Sequence, residues 1–222
     1  MTARVFAGSS ATDIVTAAEL IRQGGLVAVP TDTIYGLAAA VTPDGVQRVF
    51  VAKERPADMR LPVLLGTAAD LPRVATRLPR VAWPLIDRFW PGPLTLVLPA
   101  SREMPEALTA GGGTVGVRVP AGRTILRLLE VLGEPITGTS ANVSGRPGAA
   151  TAEEALAQLG DRIDGVLAMD GEVSGGSAST VLDLSGKLPV VRRAGAITVD
   201  EIRAVAGMRV EILALTEAGQ KP

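Results

Sequence analysis

A chain of 222 residues, 47% hydrophobic and 20% charged, is long enough to bury one large core or two small ones, and with 3% aromatics that core must be built from Val, Leu, Ile and Ala. A net charge of −1 argues against a protein that coats nucleic acid or a membrane. With no Cys and no His, the sequence excludes disulfides, a thiolate nucleophile, cysteine-ligated zinc and an imidazole base, so any catalysis rests on positioning and fixed charge, with substrate or metal supplying the rest.

The predicted elements begin with a helix in "ATDIVTAAELIRQGG", capped by Thr12 or Asp13 and striped by Ile14, Ala17, Ala18, Leu20 and Ile21. "LVAVP" (26–30) is a short strand running into a turn, "TDTIYG". "PDGVQRVFVAKER" (43–55) reads as a helix with Pro43 in its first turn, and "LPVLLG" (61–66) as a strand. "AADLPRVATRL" and "PRVAWPLIDRFW" are two short helices, the second broken by "PGP". "LTLVLP" (94–99) and "TVGVRVP" (114–120) are strands, "GRTILRLLEVLG" a helix and "PITG" a short strand. Thr151 and Glu154 form a capping box that opens a helix over 151–160. "GVLAMDG", "STVLDLSG" and "LPVVRRAG" are strands or strand ends, followed by a helix from about Thr198 to Val205. Strands follow one another directly near 94–119 and 179–193, which favours an α/β (α+β) fold with a mixed sheet flanked by helices.

No stretch reaches the ~18 apolar residues of a membrane span. The start, "MTARVFAGSSATD", has neither the basic residues nor the apolar run of a signal peptide, so the expectation is a cytoplasmic protein without a membrane partner. Charge is uneven: residues 48–127 carry 12 basic and 6 acidic side chains, net +6, and residues 128–222 carry 8 and 13, net −5.

Five segments resist a packing explanation. "PTDTIYG" (30–36) offers Thr31, Asp32, Thr33 and Tyr35 at a strand end. "KERPADMRLP" (53–62) sends Lys53, one of 3 lysines, and Arg55 out of a helix end, a point charge beside a planar fork. "TVGVRVP" sets Thr114, Gly116 and Arg118 on one face and valines on the other; an edge strand with a solvated face explains that equally well. "GTSANVSGRPG" (138–148) packs Thr139, Ser140, Asn142 and Ser144 among three glycines with Arg146, and neither P-loop nor dinucleotide spacing is present. "GGSAST" and "VVRRAG" place Ser177, Ser179 and Thr180 near Arg193. Hydroxyls and fixed cations recurring at strand ends suit a phosphate-rich ligand with a small amino or carboxyl compound.

In this order, "PTDTIYGL", "KERP", "FWPGPLTLVL", "VGVRVP", "TSANVSGRPG", "STVLDL" and "RRAG" resemble the YrdC-like family, in particular the TsaC-type threonylcarbamoyl-AMP synthases in their short single-domain form, over roughly residues 10–207. The resemblance implies a twisted mixed sheet in an open α/β arrangement, with residues 1–207 as catalytic domain and 208–222 as an extension loosely ordered at its end. It implies a nucleotidyltransferase that joins L-threonine, bicarbonate and ATP, with Mg²⁺ carried by ATP and no protein metal ligands assigned, giving threonylcarbamoyl-AMP and pyrophosphate. A downstream threonylcarbamoyl transferase complex then modifies tRNA, which the synthase meets indirectly or weakly. It also implies roles. Lys53, Arg55 and Arg118 would be catalytic; Lys53, Arg55, Met59, Thr114, Ser140, Asn142, Gly148 and Arg193 would hold ATP; Thr33, Tyr35, Arg118, Gly138 and Ser179 would hold threonine.

The chain departs from the pattern at "MRLP", where Arg60 replaces a proline, and at Leu64, where some members carry His. The resemblance leads to the expectation of a short form without the second domain that longer members add. Two alternatives stay open, an RNA-binding module of the same fold and a paralogue with another acyl acceptor. Residues 56–61 and 144–149 are the candidate closing loops.

Overall fold

The computed structural model describes residues 3–169, 178–207 and 211–212. The expected extension 208–222, Ser177 and most of its loop lie outside the described residues, apart from the backbone of 211–212.

The strands divide between two mixed sheets rather than forming one. In the first, the order is β1 (Arg4–Ala7), β9 (Gly165–Ala168), β2 (Val27–Pro30), β3 (Tyr35–Ala38) and β8 (Thr139–Ser140). In the second it is β12 (Glu211–Ile212), β11 (Val190–Arg193), β10 (Thr180–Asp183), β5 (Leu94–Pro99), β6 (Thr114–Arg118), β4 (Val63–Leu64) and β7 (Ile136–Thr137). Parallel and antiparallel pairs occur in both, as the directly consecutive strands predict.

Helices α1 (Ala11–Arg22) and α6 (Arg123–Leu132) pack together, and Ile14, Ala17, Ala18 and Ile21 of one meet Ile125, Leu128 and Leu129 of the other in a core that includes Val27 and Val29 of β2. The first helix is capped by Ser10, whose hydroxyl accepts from Asp13 N, and not by Thr12 or Asp13; the Asp13 carboxylate instead accepts Ala7 N at 2.7 Å. The alternating residues of β2 reach the other core, shared with Val46, Val49 and Phe50 of α2 (Pro43–Lys53) and with Ala155 and Leu159 of α7 (Ala152–Leu159). The capping box expected at Thr151 is half present: Thr151 Oγ1 accepts Glu154 N, while the Glu154 carboxylate accepts Ala150 N rather than that of Thr151. A short 3-10 turn (Ala68–Asp70) leads into α3 (Leu71–Val74), and α5 (Glu106–Thr109) is a single turn. On the second sheet, Leu94, Leu96 and Leu98 of β5 and Val115 and Val117 of β6 join Leu85, Ile86 and Phe89 of α4 (Ala82–Phe89) and Ile202 of α8 (Val199–Ala206) in the core.

This alternation positions the site. Once the leucines of β5 and the valines of β6 turn inward, Thr95, Val97, Gly116 and Arg118 must face the other way, toward the first sheet. β6 lies between β5 and β4, so it is not the edge strand that its pattern also allowed. The sheets join through residues 136–140: β7 pairs with β4, β8 pairs with β3, and Gly138 is the step between them. A Cβ there would stand 2.6 Å from Leu64 Cγ, so the crossing needs glycine.

Candidate functional site

Between the sheets lies a cleft of about 690 Å³. Its floor is β10, β5, β6 and β4, presenting Ser179, Val181 and Asp183, then Thr95 and Val97, then Gly116 and Arg118, then Leu64. The opposite wall is Thr31, Thr33 and Ile34 with β3 and β8; Arg55, Arg60 and Pro62 from the segment after α2, together with Gly138, Arg192 and Arg193, also line the cleft.

Arg118 is 6% exposed and makes one hydrogen bond from each of its three nitrogens. Its Nε donates to Gly92 O at 2.9 Å, Nη1 reaches Thr33 Oγ1 at 3.4 Å, and Nη2 pairs with the Asp32 carboxylate. Burial lowers its pKa and Asp32 opposes the shift, but a guanidinium keeps its charge at any pH of interest. The Thr33 hydroxyl is within 3.1 Å of Thr31 Oγ1, which donates to Ile34 O at 2.6 Å. Arg118 therefore heads a chain of oriented hydroxyls. Across the cleft, Ser179 Oγ is 2.9 Å from Thr95 Oγ1 and accepts Arg193 Nη2 at 2.9 Å. Arg193 Nε and Nη2 also donate to Ser179 O. Asp183 accepts from Ser185 N, Ser185 Oγ and Arg192 Nε. Burial works to raise its pKa, and those bonds outweigh it, leaving the carboxyl below its ordinary value.

Lys53 and Arg55 do not leave α2 together. Glu54 between them has φ 50°, in the left-handed region, and turns the two side chains apart. Arg55 lines the cleft and donates through Nη2 to Arg60 O at 2.8 Å. Lys53 is 1% exposed and does not line it: its ammonium donates to Ser140 O and to Asn142 O, and its own carbonyl accepts Ser144 N at 2.8 Å. The lysine holds the "TSANVS" loop to the end of α2. Burial, and then the neighbouring Arg55 charge, bring its pKa down to about 7.

Of the other expected residues, Thr33, Tyr35, Gly138, Ser140, Ser179 and Arg193 line the cleft. Tyr35 does so with its side chain fully buried; its hydroxyl accepts Met169 N at 3.3 Å, and burial raises its pKa. Met59, Thr114, Asn142 and Gly148 do not line it. Met59 is 43% exposed, and Gly148 packs on Ile34, a cleft residue, so closely that a Cβ would lie 2.7 Å from Ile34 Cδ1. Asn142 anchors its loop by donating to Val143 O and Arg146 O. Four buried polar atoms have no partner among the described residues: Arg55 Nε, Thr114 Oγ1, Asn142 Oδ1 and Ser144 Oγ. Each costs about 1–3 kcal/mol if nothing binds it, and three belong to residues expected to meet a nucleotide.

From the sequence, Thr95, Arg192 and Asp183 carry no role, and Arg60 stands only as a departure from the family pattern. The period-2 rule, applied to "LTLVLP" and "STVLDL" as it was to "TVGVRVP", finds Thr95 and Asp183 on the face opposite the leucines. No three His, Cys, Asp or Glu side chains converge as a metal site among the described residues, and no described helix is long and apolar enough to cross a membrane.

The family model Sua5_yciO_yrdC, described as "Telomere recombination", matches residues 19–195. The chain belongs to this family. It is 43% identical over 192 residues to a threonylcarbamoyl-AMP synthase of Pyrococcus abyssi, covering 86% of this chain and 56% of that protein. A Bacillus subtilis protein of the same name is 40% identical over 212 residues, covering 94% and 61%. A crystal structure of P. abyssi Sua5 complexed with L-threonine superposes with a TM-score of 0.89 at 39% identity, over 95% of this chain and 63% of that one. The chain thus spans about three fifths of the length of these curated relatives.

Proposed function

We propose that this chain is an L-threonylcarbamoyladenylate synthase. The observation that carries the reading is the cleft's imbalance of charge: among the described residues Arg55, Arg60, Arg118, Arg192 and Arg193 line it against one lining carboxylate, Asp183, among the hydroxyls of Thr33, Thr95, Ser140 and Ser179. Such a site suits a polyphosphate and a small anion held side by side. The names of the relatives agree.

In this reading the threonine amine attacks bicarbonate and water leaves, giving a carbamate. A carbamate oxygen attacks the α-phosphorus of ATP, the bond from that phosphorus to the bridging oxygen breaks, and pyrophosphate departs with the electron pair. No side-chain base has to be strong, because the attacking group is already an anion; positioning and neutralisation do the work. Arg118, oriented by Asp32 and Gly92 O, faces the threonine carboxylate, with Thr33, Ser179 and Gly138 around the amino acid and the Tyr35 backbone beside them. Arg55, Ser140 and Arg193 hold the nucleotide, with the unpartnered atoms of Thr114 and Asn142 as further contacts and Met59 and Gly148 at its margin. Lys53 acts through the carbonyls it holds, as a positioning residue. Mg²⁺ would enter with the ATP phosphates, which fits a cleft in which, among the described residues, the one lining carboxylate, Asp183, is already taken by Ser185 and Arg192. The product would pass in the cytoplasm to a threonylcarbamoyl transferase complex acting on tRNA.

Mass spectrometry of the products tests this. With L-threonine, bicarbonate, ATP and Mg²⁺ the expected outcome is threonylcarbamoyl-adenylate, absent when any one substrate is omitted. Adenylate formed equally well without threonine would replace the reading with a paralogue using another acceptor.

A further inference from the structure

Most cations of the cleft are held by the protein itself. Arg118 pairs with Asp32, Arg192 with Asp183, and Arg193 donates through two nitrogens to Ser179. Arg60 is different. It lines the cleft, is exposed, and has no carboxylate partner among the described residues. Its guanidinium nevertheless has a seat. Nε donates to Thr109 O at 3.3 Å, and the group lies on the backbone of Gly112, where a Cβ would stand 3.0 Å from Cζ and would run into Nη2. The Arg60 carbonyl accepts Arg55 Nη2 at 2.8 Å, so the two arginines of this turn are fixed to one another. Arg55 too has no carboxylate partner among the described residues, and its Nε is one of the orphaned atoms.

Two arginines of one turn thus line the cleft with no carboxylate partner for either among the described residues, and a multiply charged anion in the cleft would answer both charges. Arg60 is exposed and Arg55 half-buried, whereas Arg118, set on threonine in the synthase reading, is buried, so the pair meets the part of the nucleotide away from the amino acid. We propose that Arg60 binds the outer phosphates of the nucleotide together with Arg55, and so holds the pyrophosphate leaving group. The inference rests on the synthase reading and deepens it by naming the group that meets the leaving pyrophosphate.

Binding of ATP–Mg²⁺ and of AMP to the full chain, measured by titration calorimetry, tests it. In Arg60→Ala the ATP Kd should rise about tenfold, as expected for one lost charge-assisted contact, while the AMP Kd stays within twofold. Arg60→Lys should recover part of the ATP affinity. Gly112→Ala keeps the charge but unseats it, and should weaken ATP several-fold and AMP not at all. ATP affinity unchanged in Arg60→Ala, or ATP and AMP weakened equally, would overturn the proposal. Pyrophosphate release by the unaltered chain, run in parallel, separates the two readings: a chain that binds ATP with the expected contrast yet releases none sinks the synthase and leaves the grip standing, and one that binds no ATP overturns both.

Discussion

At Arg118 all three donor-bearing nitrogens of the guanidinium are spoken for, by Gly92 O, Thr33 and Asp32, so its plane is fixed before any ligand arrives. Lysine keeps the charge but cannot reproduce that fork. Arg118→Lys should therefore cut the synthase rate by about 100-fold, the scale of losing one preorganised donor, with stability changed far less than in Arg118→Ala, which strands Asp32; steady-state kinetics and thermal melts of both variants check this. Lys53 supplies a pH test. Below pH 7 folded and unfolded chains both carry the ammonium, and the folded chain bears the full cost of burying it. Above about 7 the folded chain releases a proton that the unfolded chain keeps until about 10.5, so the cost is relieved as pH rises through that window. The melting temperature of the natural chain relative to Lys53→Met should climb from pH 7 to 9; a flat difference would mean that the two carbonyls keep the amine charged. Residue types were legible in the sequence, and their partners were not. "KERP" gives two cations, but the left-handed Glu54 that sends one into the loop and the other into the cleft carries no sequence signal, since Glu is not a residue that favours that region.

Among the elements, β5, β6 and β10 were readable because one face had to be Leu and Val, which forces the other face into the cleft. β1, β3, β8 and β12 were not read as strands: β8 is two residues inside a polar stretch and pairs with β3 far back in the chain, while β3 follows directly on "TDTI" as the return strand of a hairpin with β2, so pairing decides them, not local pattern. The junction Ile136–Ser140 carries the sharpest prediction at this scale. Gly138→Ala drives a methyl into Leu64 and should cost about 1–3 kcal/mol, or several degrees of melting temperature. Leu64→Ala in the same chain should be less damaging than the sum of the two single changes, because it vacates the space the methyl needs. Additive losses in a denaturation double-mutant cycle would mean that the two sheets do not meet through this contact.

For the whole molecule, the net +6 of residues 48–127 has a partial account. Arg55, Arg60 and Arg118 come from that window and enter the cleft, while Arg77, Arg80 and Arg102 stay exposed on the outside. An RNA-binding module would use the exposed set and lose affinity steeply with salt; a synthase uses the cleft. The division into two sheets with the site between them was invisible in the sequence, because each sheet's strands are interleaved along the chain. Whether this cleft carries out the proposed threonine- and bicarbonate-dependent adenylation is decided by pyrophosphate release from ATP and Mg²⁺ by the natural chain, Arg55→Ala and Ser140→Ala, each shown to be folded by its melting temperature. The account predicts release that needs both co-substrates and falls about 100-fold or more in Arg55→Ala, with a smaller loss in Ser140→Ala. Release that persists in both folded variants within a factor of about three, or that ignores threonine and bicarbonate, would contradict it.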